Sequence, residues 1–143
     1  MVGLLDVNAL VALLVPTHEH HARARRWILT EGSNAGWATC PLTELGVIRV
    51  CAQLPMGARP PRATVDALLQ FRVSTAGHVF WPDALSPAAM IELRQAETAR
   101  QVTDRYLLGL ARRFGGRVVT CDHGLVVAGG DDVIDLLEQS LEE

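Results

Sequence analysis

The chain has 143 residues, 49% of them apolar and 20% charged, with a formal net charge of −3 at pH 7. This size and composition predict one folded domain over residues 1–143 and exclude a disordered chain. No apolar run approaches the roughly 20 residues of a membrane span, and the early apolar stretch is too interrupted for a secretory signal. The three cysteines lack CxxC spacing, so we expect reduced thiols in a cytoplasmic protein.

All 13 basic residues are arginine, and the chain contains no lysine. If four of the 16 acidic residues hold metal, 12 acids remain against 13 arginines, a balance of +1. The weakly acidic net charge therefore does not exclude a substrate that carries phosphate. The planar guanidinium of arginine suits phosphate oxygens, although genome composition is an alternative reason for the all-arginine usage.

The predicted elements alternate along the chain, which is typical of an α/β fold with a parallel sheet. The tail is ambiguous, because Asp132 suits a helix cap whereas Val133 and Ile134 suit an edge strand. Residues 55–61, rich in proline and glycine, are expected to form a loop. The predicted strands are 2–6, 36–39, 79–81 and 117–121, and the predicted helices are 8–15, 18–29, 41–54, 63–73, 86–100 and 103–114.

Two acidic residues, Asp6 and Asp122, each follow a short apolar run that reads as a buried strand. In open α/β sheets, ligands bind outside the carboxyl ends of the strands. Asp6 and Asp122 therefore stand where a site is expected. Asn8 is a candidate cap for the helix that follows Asp6.

Two further acidic residues head the apolar faces of predicted helices. Apolar or small residues stand three, four and seven positions after both Glu44 and Asp104. We expect both acids in a first helical turn, where the helix dipole favours a negative charge by about 0.3–1 kcal/mol. That gain is smaller than the several kcal/mol that burial of an unpaired carboxylate costs. Helix capping or an arginine partner would explain any one of these acids, but four converging carboxylates without lysine favour Mg²⁺ or Mn²⁺.

Four short motifs resemble the acidic motifs of PIN-domain nucleases, and their order most resembles VapC-type ribonuclease toxins of toxin–antitoxin systems. The resemblance implies a three-layer α/β/α sandwich with a central, mainly parallel sheet, and it favours a strand near Val133. It implies metal ligands at Asp6, Glu44, Asp104 and Asp122, with Asn8 and Thr120 as polar support. The motifs are Leu5-Asp6-Val7-Asn8, Thr43-Glu44-Leu45, Val102-Thr103-Asp104 and Val119-Thr120-Cys121-Asp122.

The same resemblance implies an Mg²⁺- or Mn²⁺-dependent endoribonuclease that is neutralised by a small antitoxin protein and forms a homodimer. We expect metal-activated water to attack the phosphodiester, since metal lowers the pKa of bound water. The RNA products would then carry 5′-phosphate and 3′-hydroxyl ends. A basic side chain of the antitoxin could pair with the acids in place of the cation.

Two other functions compete with this interpretation. A phosphatase of the HAD type or a phospho-acceptor receiver also places an Asp-x-Asn motif after its first strand, but both use a lysine that this chain lacks. A non-catalytic PIN-like RNA-binding module is the other alternative, and the presence of all four acids argues against it. The run His18-Glu19-His20-His21 is not a zincin motif, because the second histidine would have to stand at Ala22.

Overall fold

The computed structural model describes residues 1–138, in which five parallel strands form one sheet in the order β3-β2-β1-β4-β5. The strands are β1 Gly3–Leu5, β2 Trp37–Thr39, β3 His78–Phe80, β4 Arg117–Thr120 and β5 Val133–Asp135. The helices are α1 Val7–Leu14, α2 His21–Trp27, α3 Ser33–Ala35, α4 Pro41–Ala52, α5 Pro61–Ser74, α6 Ile91–Arg94, α7 Ala99–Arg113 and α8 His123–Gly129. A π-helical segment at Ile28–Gly32 and short 3₁₀ turns at Pro87–Ala89 and Gly130–Asp132 complete the order.

Both faces of the sheet are covered, which confirms the predicted three-layer α/β/α sandwich. Successive strand residues point to opposite faces, so Leu4 and Leu5 enter two different cores. Leu5 packs with α1, α2, α4 and α5, and Leu4 packs with α7 and the first turn of α8. Along the described chain, no helix combines the length and the apolar character needed to cross a membrane.

The strand order places the topological switch point between β1 and β4. Strands β2 and β3 extend the sheet on one side of β1, and β4 and β5 extend it on the other. Ligand sites of open parallel sheets lie outside the carboxyl ends of the strands at such a point. The register pairs Leu5 with Val119, so Asp6 and Thr120 leave the sheet side by side.

Helix α4 approaches the start of α1 closely because it carries Gly46 at the contact. A Cβ atom added to Gly46 would lie 2.4 Å from Cγ2 of Val7. Any larger side chain would push the two helices apart. The missing side chain therefore brings the first turn of α4, which contains Glu44, near the end of β1.

Most predicted elements are confirmed, including the edge strand at the tail, which is β5. The continuous helix predicted over 86–100 is wrong. Pro87 begins a short 3₁₀ turn, Met90 is extended, and only the four residues of α6 are helical before the chain extends again at Thr98.

The predicted starts of three helices are also corrected. Helix α7 begins at Ala99, so Asp104 lies in its second turn and not in the first, and the helix-dipole argument for it is wrong. The N-cap of α1 is Asp6 and not Asn8. Helix α2 begins at His21 and not at His18, because residues 18–20 form turns.

The aromatic and thiol side chains lie where a packed core predicts them. Trp27, Trp37 and Trp81 are buried. Cys40 and Cys51 are buried free thiols, and Cys121 is a partly buried one.

Candidate active site

Asp6 is a buried carboxylate with two structural bonds. It leaves β1 in an extended conformation and caps α1, with Oδ1 accepting the N–H of Ala9 at 2.8 Å. Its Oδ2 accepts the hydroxyl of Thr120 at 2.5 Å. Its residue surface is only 4% exposed. These bonds hold the carboxylate in one place at the carboxyl end of the sheet.

Thr120 connects Asp6 to Asp122. While its hydroxyl donates to Asp6, the same oxygen accepts the backbone N–H of Asp122 at 2.9 Å. Asp122 caps α8, with Oδ1 accepting the N–H of Gly124 at 2.9 Å. One hydroxyl at the end of β4 therefore fixes the spacing of two acids across the switch point.

Asp104 approaches from α7, on the other face of the sheet, and is partly buried. Asp104 and Asp122 line one cavity of about 260 Å³. The charges of Asp104 and Asp122 both act on Asp6. The structure therefore places Asp104 and Asp122 on one cavity and places Asp6 near enough for its charge to interact with both.

Burial and repulsion make Asp6 and Asp104 difficult to ionise. Burial raises the pKa of Asp6 to about 7 against the opposing effect of its two hydrogen bonds, and the charges of Asp104 and Asp122 raise it further. Burial and the charge of Asp122 also raise the pKa of Asp104, while Arg100 and Arg105 lower it. The site is therefore short of positive charge at neutral pH.

Glu44, the fourth predicted acid, is held by a threonine and an arginine. Its Oε2 accepts the hydroxyl of Thr39 at 2.5 Å. Nη1 of Arg72, from α5, lies 3.4 Å from both carboxylate oxygens. Glu44 lies in the first turn of α4, and its charge is neutralised by Arg72.

The donor set fits a hard divalent cation, although it is not arranged as a finished metal centre. Within residues 1–138, no salt bridge joins an arginine to Asp6, Asp104 or Asp122. Oxygen donors of this kind suit Mg²⁺ or Mn²⁺. In the same range, no three acidic, histidine or cysteine side chains are grouped closely enough to hold an ion. Binding a cation here therefore requires some side chains to move.

The predicted polar support residues have different positions. Thr120 is buried and bonded to Asp6. Asn8 is the second residue of α1 and is exposed. It lines a second cavity, which has a volume of about 390 Å³. The other residues that line this cavity are His18, Glu19, His20, Arg100, Cys121, Asp122 and His123.

Arg100 is a site residue that the sequence prediction missed. It lines both cavities, and so does Asp122, so the two cavities meet between these side chains. The signal was present, because Arg100 stands four residues before Asp104 and helical residues four apart share a face. Because the predicted helix began at residue 103, Arg100 and Asp104 were not expected on the same helix. His18 and His20, which were expected in the first turn of the helix over 18–29, also line the second cavity.

The comparisons with known proteins agree with the observed fold. The family model described as "PIN domain" matches residues 3–130. The chain is 41% identical over 140 residues to Ribonuclease VapC39 of Mycobacterium tuberculosis, covering 96% of this chain and 100% of the relative. It is 45% identical over 128 residues to Ribonuclease VapC38 of that species, covering 86% of each chain. The crystal structure of FitAcB from Neisseria gonorrhoeae matches 97% of this chain and 100% of that one, with a TM-score of 0.62 and 20% identity, which supports the fold.

The pKa of Asp6 predicts how stability depends on pH without metal. Between the unfolded value of 3.8 and the folded value of about 7, the folded state binds more protons than the unfolded state. Stability should therefore fall as pH rises through this window, by up to about 4 kcal/mol. Asp6→Asn keeps a capping side chain and removes the charge. In EDTA, this variant should be more stable than the wild type at about pH 8 and lose that advantage near pH 4.

Urea denaturation across this pH range measures the effect, with the exposed Asp131→Asn as the control. An advantage for Asp6→Asn that does not change with pH would contradict the assigned cause.

Proposed function

The chain belongs to the PIN-domain family, among relatives of the VapC type, and from that premise we propose that it is a divalent-metal-dependent endoribonuclease toxin. The observation that supports the proposal is the position of Asp6 and Asp122 after the two strands at the switch point of the sheet, with Asp104 and Asp122 lining one cavity. The relatives named ribonucleases match nearly the whole chain, which supports RNA as the substrate.

Asp6, Asp104 and Asp122 would hold Mg²⁺ or Mn²⁺, with Glu44 as a fourth candidate ligand. A cation bound at such a site would lower the pKa of a water molecule and would provide positive charge beside the phosphodiester. The protein contributes orientation. Ala9 and Thr120 fix the Asp6 carboxylate, and the backbone bond to Thr120 fixes Asp122. A site preorganised in this way needs less rearrangement when charge develops on the reacting phosphate.

The two cavities beside the acids suit a single strand of RNA. Arg100 and Asp122 lie where the cavities meet, so a strand that passes through both would place a phosphate beside them. Arg100 is exposed and lies in the first turn of α7, where a positive charge is unfavourable to the helix dipole. A phosphate of the substrate would compensate that charge. We assign Arg100 to this contact.

A nuclease of this kind needs control, and we propose that a small antitoxin protein provides it by covering the acidic site. A basic side chain of the antitoxin would pair with the clustered carboxylates in place of the cation. A homodimer is proposed through α5, which exposes Val65, Leu69 and Val73 at four-residue spacing along one stripe. Exposed apolar stripes of this kind mark protein interfaces. The protein is proposed to act in the cytoplasm.

The variant Asp104→Asn tests the proposed chemistry. Cleavage of RNA in Mg²⁺ should fall by at least about 100-fold, equivalent to roughly 2.7 kcal/mol of transition-state stabilisation. Mn²⁺ binding measured by calorimetry should weaken in parallel, while thermal unfolding in EDTA should show an intact fold. Wild-type products should carry 5′-phosphate and 3′-hydroxyl ends. Asp131→Asn is the matched control, and cleavage by Asp104→Asn at the wild-type rate would show that the assignment is incorrect.

Replacement of Arg100 tests the assigned contact with RNA. Arg100→Gln should raise the KM for RNA by roughly tenfold, with a smaller change in kcat. The dependence of binding on salt should become shallower by about one unit of slope, because one phosphate contact is lost. The control is Arg113→Gln, which removes an exposed arginine at the opposite end of α7. Equal effects of the two substitutions would leave only a general charge effect and exclude a specific contact.

Co-expression with the product of the neighbouring gene tests the proposed control. A tagged wild-type chain should co-purify with that product, RNA cleavage should be suppressed, and growth arrest should be relieved. Removing the basic residue of the partner that enters the site should weaken inhibition, and added Mn²⁺ should compete with it. Absence of both the complex and the relief of growth arrest would identify a free-standing nuclease.

A further inference from the structure

A polar network between α4, α5 and the strand ends holds the side chain of Glu44. Besides the Thr39 hydroxyl and the Arg72 guanidinium, the network includes His78 at the start of β3, whose Nε2 lies 2.8 Å from Oγ1 of Thr39. The guanidinium of Arg72 also lies over the ring of Phe80, with 5.6 Å between Cζ and the ring centroid. Glu44 is therefore held directly from two elements, β2 and α5, and β3 supports both of its partners.

The hydrogen bonds of this network have a definite direction. The Thr39 hydroxyl has one proton, and it donates that proton to Glu44. His78 must then donate its Nε2 proton to Thr39. Burial and the neighbouring charge of Arg72 lower the pKa of His78 to about 4, so the ring is neutral at pH 7 and can hold this tautomer.

The Glu44 carboxylate lies at the carboxyl end of β2, beside the end of β1, because its partner Thr39 is the last residue of β2. Strands β1 and β2 are adjacent and parallel, with Leu4 paired to Ala38. Gly46, two residues after Glu44, contacts Val7, which follows Asp6 directly. A movement of the Glu44 carboxylate towards Asp6 would pass from the end of β2 to the end of its neighbour β1.

The ion pair between Arg72 and Glu44 is weak enough for a bound cation to break it. Both nitrogen–oxygen distances are 3.4 Å, longer than the roughly 2.7–2.9 Å of a strong charged hydrogen bond. The side chains are 28% and 19% exposed, so solvent screens the pair. A divalent ion held by the three aspartates would attract the Glu44 carboxylate more strongly than the single positive charge of Arg72 does.

We propose that Arg72 is a positioning residue that withholds Glu44 from the cation site, and that cation binding transfers Glu44 from Arg72 to the aspartate cluster. The proposal rests on the proposed function of the same site. It accounts for the difference between Glu44, which has an arginine partner, and the three aspartates, which form no salt bridge with arginine within residues 1–138. It also makes the strength of the Arg72 pair a determinant of how much Mg²⁺ or Mn²⁺ the protein requires.

A double-mutant cycle of Arg72→Gln and Glu44→Gln tests the transfer, with Mn²⁺ binding measured by calorimetry in the absence of RNA. Arg72→Gln should tighten Mn²⁺ binding by roughly tenfold, because Glu44 is released. In the Glu44→Gln background, the same substitution should tighten binding by less than about twofold, since only the loss of a distant positive charge remains. Arg49→Gln, an exposed arginine on the same helix as Glu44, is the control and should change little.

Two outcomes would overturn the proposal: no tightening by Arg72→Gln, or equal tightening with and without Glu44. If Arg72→Gln does not fold, Arg72→Met keeps the aliphatic stem beside Phe80 and replaces it in the cycle. Loss of Mn²⁺ binding in Asp104→Asn without coupling between Arg72 and Glu44 would refute the transfer and leave the proposed function intact. A wild-type chain that binds no Mn²⁺ would refute both.

Discussion

The carboxylate of Asp6 is both the N-cap of α1 and a charge buried at the carboxyl edge of the sheet. Its bonds to Ala9 and Thr120 join the start of α1 to the end of β4, so the fold depends on a hydrogen-bond acceptor at this position. A neutral cap would serve the helix equally well without the cost of a buried charge. The excess negative charge is therefore better explained by a cation than by the needs of the fold.

The topology makes this arrangement possible. Because the strand order reverses between β1 and β4, the loops after these strands separate and leave a crevice. Asp6 and Asp122 come from those loops, and α7 brings Asp104 to the same crevice from the opposite face. Three elements that are distant in sequence thus place like charges near one another. The favourable free energy of folding offsets the repulsion between these charges.

The sequence alone was sufficient to predict the sheet and the positions of Asp6 and Asp122, because an apolar strand that ends in an acid has a fixed place in a parallel sheet. It predicted the approach of Asp104 from the spacing of the apolar stripe. It misplaced the start of α7, because both Thr98, with Gln101 three residues later, and Thr103 are plausible helix starts. The orientation of Glu44 was not predictable. It depends on Arg72, which lies 28 residues further along the chain, and on the choice between rotamers.

The most direct test of the central claim is a crystal structure of the wild-type protein soaked with Mn²⁺, with data collected at the manganese absorption edge. The account predicts an anomalous peak in contact with carboxylate oxygens of Asp6, Asp104 and Asp122, with the Glu44 side chain turned away from Arg72 and towards the ion. A peak bound elsewhere, or no peak between these acids at saturating Mn²⁺, would contradict it.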